Sequence, residues 1–110
     1  MSHPVIGDTT PFLGGPFEVF HAGPIHGLAR ADAGRLDLLA VVAEPPGCGH
    51  FAAFLADCMR AYPSIGVWEI WNPALAAMLK RRGFVPADEV LDGDLASGLV
   101  WRAPAPERAG

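Results

Sequence analysis

The chain has 110 residues, one domain's worth, with 51% hydrophobic and 18% charged residues. That balance suits a packed core and excludes a disordered chain. A formal net charge of −4 excludes the broad basic face that nucleic-acid binding needs, so the expected partner is a small molecule or another protein. No charged start followed by an apolar run marks a signal peptide. The longest apolar stretch, Leu38 to Ala43, falls far short of the roughly 20 residues that span a bilayer. Cys48 and Cys58 form neither a disulfide framework nor a zinc motif, so a reduced, cytoplasmic setting is the expectation.

In chain order, residues 1–16 end in Pro11-Phe12-Leu13-Gly14-Gly15-Pro16, have no hydrophobic period, and read as an irregular arm. The segment 17–102 reads as one domain. Phe17–Phe20 and Ile25–Ala31 are short strand candidates. Asp32-Ala33-Gly34 then offers a hairpin turn, with Gly at a positive-φ position. Arg35–Ala43 is almost unbroken apolar from Leu38 onward, as in a strand buried on both faces. The run Glu44-Pro45-Pro46-Gly47-Cys48-Gly49-His50 forces a loop.

The period then changes to helical. Phe51, Phe54, Leu55, Cys58 and Tyr62 form one stripe, with Asp57 and Arg60 off it, until Pro63-Ser64. Ile65–Trp71 is strand-like. The next helix is marked at both ends, with Asn72 as N-cap and Pro73 at the first helical position. Its last turn, Lys80-Arg81-Arg82, suits the helix dipole. Gly83 is placed as C′, and Phe84 as C″ folds back on Leu79. Phe84–Leu91 and Ser97–Arg102 complete the chain as strands around Asp92-Gly93-Asp94, and residues 103–110 form a tail. The predicted fold is therefore α/β in the α+β sense. A mixed, mostly antiparallel sheet is flanked by helices, and Arg35–Ala43 and Ile65–Trp71 are its parallel pair.

The chemistry sits at the glycine loop. A loop between a buried strand and a helix N-terminus points free N–H groups and the positive end of the dipole at an anion. Here the donors are the amides of Gly47, Cys48, Gly49 and His50, with Phe51. Neither the dinucleotide glycine fingerprint nor the P-loop pattern is present, and such a junction alone is more often an ordinary βα turn than a nucleotide site. His21, His26 and His50 fit no zinc spacing, so no metal site is expected. Cys48 near His50 offers a thiol at a helix start, and the simpler reading is that its amide matters. Glu69, interrupting an apolar strand, is the first candidate base and Glu18 a lesser one, but the simpler reading is a plain strand-end carboxylate that reaches solvent or pairs with an Arg. Trp68, Trp71 and Trp101 read as core and sheet-face residues.

Glu44-Pro45-Pro46-Gly47-Cys48-Gly49 resembles the Gln/Arg-x-x-Gly-x-Gly/Ala motif of the GNAT-type N-acetyltransferase superfamily. The segment from Asn72 to Gly83-Phe84 looks like that family's next helix, at the right distance downstream. The resemblance covers element order over residues 17–102 and recognisable residues over 38–84. It implies a GNAT-like fold with the two parallel strands splayed apart and acetyl-CoA bound as co-substrate in the V-shaped gap. The backbone near Val41 and Val42 would bond the pantetheine arm, residues 47–50 the pyrophosphate, and Asn72 would lie near the thiol end. Transfer of the acyl group to a small-molecule or protein amine is the implied activity. The chain departs from the pattern with Leu79 where many relatives carry an acidic Tyr, with Glu44 at the first motif position, and without the opening strand and helix pair that wall the acceptor site. A second copy of the chain or a partner is expected to supply that wall. The alternative is a GNAT-fold interaction or structural protein without catalysis.

Overall fold

A computed structural model describes residues 2–13, 15–44, 49–91 and 93–104. Five strands open the chain: β1 (Ser2–His3), β2 (Gly7–Pro11), β3 (Glu18–Ala22), β4 (Ile25–Asp32) and β5 (Arg35–Ala43). Helix α1 (His50–Ala61), strand β6 (Ser64–Trp68), helix α2 (Pro73–Arg81) and the hairpin β7 (Val85–Leu91) and β8 (Asp94–Arg102) follow. Strands β2 to β8 form one seven-stranded mixed sheet, and the short β1 pairs with β2 at its edge, giving the order β1-β2-β3-β4-β5-β6-β8-β7. Among the described residues only β5 and β6 pair in parallel, and every other neighbour is antiparallel. The α+β class with a mixed sheet and two helices is as the sequence predicts.

Strand alternation divides the sheet into two faces. Leu36 and Leu38 of β5, Ile65 and Val67 of β6 and Leu99 of β8 join Phe54, Leu55 and Cys58 of α1 and Leu79 of α2 in one core cluster. Both helices therefore lie on the same face. The residues between, Trp68 of β6, Leu91 of β7 and Val100 of β8, form a second, smaller cluster with Phe17 on the face without helices.

Asp37, between Leu36 and Leu38, is the buried charge of that second face. Its carboxylate accepts from Arg30 Nη2 at 3.0 Å, Arg35 Nε at 3.1 Å and Trp68 Nε1 at 2.9 Å, and Arg35 extends the chain of contacts to Glu89. Gly66 leaves the room this network occupies. A Cβ there would stand 2.6 Å from Asp37 Oδ1 and 2.7 Å from both Arg35 Nη2 and Trp68 Nε1.

Helix α2 ends as its sequence prescribes. The Asn72 side chain accepts from the Ala74 amide at 2.9 Å. At the other end, Gly83 at φ 95 donates to Lys80 O and Phe84 to Leu79 O, the paired bonds of a Schellman ending. Phe84 and Leu79 are both buried.

Three expectations need correction. The arm 1–16 is not irregular throughout: Thr9, Thr10 and Pro11 of β2 pair with Phe20, Val19 and Glu18, and Ile6 is buried. A proline at the end of a strand leaves the ladder intact, and two β-branched threonines favour extension. Second, β6 stops at Trp68, not Trp71, because Glu69 takes φ 55 and turns the chain out of the sheet. Third, β8 begins at Asp94, three residues earlier than predicted, since Leu91 and Asp94 close a tight hairpin.

The β4–β5 turn carries a testable cost. Ala33 at φ 49 and Gly34 at φ 83 span the pair Asp32↔Arg35 with both central residues left-handed, the conformation that favours Asn-Gly. Alanine has no side-chain hydrogen bond to offset that strain. Ala33→Asn is expected to raise the unfolding free energy by about 0.5–1 kcal/mol, seen as a higher urea midpoint at unchanged slope.

Candidate functional site

The site begins where the parallel pair comes apart. Strands β5 and β6 run in register from Arg35↔Ser64 to Leu39↔Trp68, and there the pairing ends. Two non-glycine residues mark the separation: Ala40 at φ 52 on β5 and Glu69 at φ 55 after β6. Across from Ala40 the β4–β5 register slips between His26 and Leu28, which is a bulge. Gly27 lies inside that slip. A Cβ on it would stand 2.8 Å from Val41 Cα and 3.0 Å from Ala40 O, so the bulge requires the missing side chain. Ala40–Ala43 stays paired to β4 through His26↔Val42 and Ile25↔Ala43 but has no partner on the β6 side among the described residues.

A cleft of about 540 Å³ opens there, within the range of small-ligand sites. One wall is Ala40–Ala43, the other Trp68–Asn72, with Leu75 and Met78 of α2 behind. Its end is the start of α1, where Gly49 caps the helix at φ 74. The first helical bond runs from the Ala53 amide to Gly49 O. The amides of His50, Phe51 and Ala52 precede that bond, and no side chain among the described residues caps them. They supply the anion-attracting end of the helix dipole.

Of the residues singled out by sequence, Val41, Val42, Gly49, His50, Glu69 and Asn72 all line this one cleft. Gly47 and Cys48 lie outside the described residues. Val42 is exposed and Val41 packs partly against the core. Asn72 also caps α2, so its Oδ1 is engaged with Ala74. Glu69 is exposed, and no ion pair among the described residues includes it. Glu44, the acidic residue at the head of the loop, accepts from His26 Nε2 at 3.0 Å, while its amide donates to Pro24 O.

Leu79, one of the helix positions of interest, is fully buried and contributes nothing to the cleft. Cys58 is buried on the inner side of α1; burial first, and then the neighbouring Asp57 carboxylate, push its thiol up to about 12. It stays protonated at neutral pH and is inert. Among the described residues no group of three or more His, Cys, Asp or Glu is placed to hold a metal, and no helix is long and apolar enough to cross a membrane.

Sequence reasoning missed Trp71. It is not a core residue: it is 86% exposed and stands at the cleft wall. The only signal for this was its position directly before the helix cap Asn72-Pro73, outside any strand. Fold and cleft together define an α+β protein with a ligand-sized opening between two diverging parallel strands. No protein-family model and no curated protein sequence matches the chain.

Proposed function

We propose that the chain is a GNAT-like protein that binds acetyl-CoA or a related acyl-CoA in this cleft and transfers the acyl group to an amine. The observation that carries the reading is the cleft itself. Among the described residues, a strand edge at Ala40–Ala43 without a partner, an apolar wall and a helix start without a side-chain cap meet in one opening. Those are the features a pantetheine amide arm with an anionic end requires. The edge of β5 at Val41 and Val42 would hold the arm. Gly49 and His50 would face its phosphates, and Asn72 would border the thioester end.

Bound acyl-CoA supplies an activated carbonyl. The chain's own contribution is chiefly to position an amine against it. Glu69 is the one carboxylate lining the cleft among the described residues and would take the ammonium proton, directly or through water. The amine nitrogen would bond to the acyl carbon as the thioester C–S bond breaks. Nitrogen would give its second proton to solvent, and the departing thiolate would take one from solvent because Leu79 offers none.

Titration of the labelled chain with CoA, followed by amide resonances, tests this. The expected result is saturable shifts confined to residues 40–43 and 49–52 and to the start of α2. Shifts confined to β1–β3, or none at millimolar ligand, would remove the reading.

A second reading rests on exposed apolar side chains at the ends of the sheet, where Leu13, Val90 and Leu95 are all more than two-thirds exposed. That much apolar surface suits an interaction protein whose partner, or second copy, covers the sheet.

A further inference from the structure

A second opening lies on the helix-free face, and Glu69 belongs to both. This groove measures about 270 Å³, just under the range of drug-sized sites, so its occupant is small. Phe17, Leu28, Leu39 and Leu91 make its apolar walls. Its two charged lining residues, Glu69 and Asp94, are both acidic, and no Lys, Arg or His lines it among the described residues. Arg30, stacked over the Phe17 ring at 5.3 Å, is bound to Asp37. Neither Glu69 nor Asp94 enters an ion pair among the described residues.

We infer that this groove binds a small amine with an apolar body and no carboxylate, its ammonium against Glu69. Apolar walls ending in two unpaired carboxylates complement a cation on a hydrophobic stem and repel an anion. A free amino acid therefore fits poorly, since its carboxylate would enter a site that holds only negative charge. The place of Glu69 gives the binding a purpose. Its backbone leaves the sheet where β5 and β6 stop pairing, so a head group held there lies between groove and cleft. Naming this amine as the acceptor rests on the acyl-transfer reading; the binding itself does not.

The test is an amide-shift titration of the whole chain without coenzyme, using 2-phenylethylamine, the neutral 2-phenylethanol and the zwitterion phenylalanine as probes. The amine is expected to saturate, with shifts at Leu28, Leu39, Glu69 and Leu91. The alcohol and phenylalanine bind at least about tenfold more weakly, and Glu69→Gln weakens the amine by a similar factor. Glu69 is exposed, so the variant keeps its fold, which its spectrum verifies. Equal binding of the three probes, an unchanged Kd in Glu69→Gln, or shifts elsewhere would overturn the inference. CoA binding without amine binding would overturn it while leaving the coenzyme cleft intact. Amine binding without CoA binding would support the groove and remove its role as an acceptor site.

Discussion

Asp37→Ala is expected to lower the unfolding free energy by about 3–5 kcal/mol, because it breaks a buried ionic cluster by removing the partner that three donors share. Arg30, Arg35 and Trp68 all converge on this carboxylate, which is only 2% exposed. Trp68 is buried with it, and its indole N–H would be left without an acceptor, a loss of about 1–3 kcal/mol by itself. The two arginines keep some contact with water, which holds the total toward the lower end. Small domains have only about 5–15 kcal/mol in hand, so a loss of this size is a large share of the total. Asp37→Asn keeps one acceptor oxygen and the shape, and should lose less. Urea unfolding followed by tryptophan fluorescence measures both. A loss below about 1 kcal/mol in Asp37→Ala would mean the cluster is a solvated surface pair.

Ala74→Trp should abolish coenzyme binding, weakening it by more than about a hundredfold, while leaving stability within about 0.5 kcal/mol. Ala74 is exposed on the first turn of α2 and lines the cleft. An indole there fills the opening without overpacking the core, because the site already faces solvent. The Asn72 cap is made to the backbone amide of residue 74, so it survives the change. Calorimetry with CoA and a parallel urea curve separate the two effects. Retained affinity in a folded Ala74→Trp protein would place the ligand elsewhere.

What the sequence made legible follows from how local each signal is. Helix α2 was readable to the residue because Asn72, Pro73, Gly83 and Phe84 act within a few positions of one another. The βαβ order around α1 was readable from the change of hydrophobic period between Ala43 and Phe51. The opening of the cleft was expected only through the family resemblance, and no local pattern shows its cause. It depends on Ala40 and Glu69 adopting left-handed conformations that neither residue type signals, and on Gly27 standing opposite the bulge. A glycine in a strand hints at close approach, but only the register identifies Val41 as what approaches. Asp37 was likewise invisible as a core residue. Its burial is explained by Arg30 on β4, Trp68 on β6 and the space above Gly66, all set by strand order. The groove beside Glu69 joins Phe17, Leu28, Leu39 and Leu91 from four separated stretches, so no local pattern could reveal it.

The central claim is that the cleft between β5 and β6 is a coenzyme site, and calorimetric titration of the full chain with acetyl-CoA and with CoA tests it most directly. A one-to-one saturable isotherm is predicted, weakened at least about tenfold by Gly49→Val. That change forces a β-branched residue into the left-handed conformation at φ 74 and disturbs the start of α1. A folded protein that shows no heat of binding at millimolar ligand, or binds equally well with Val at position 49, would contradict the account.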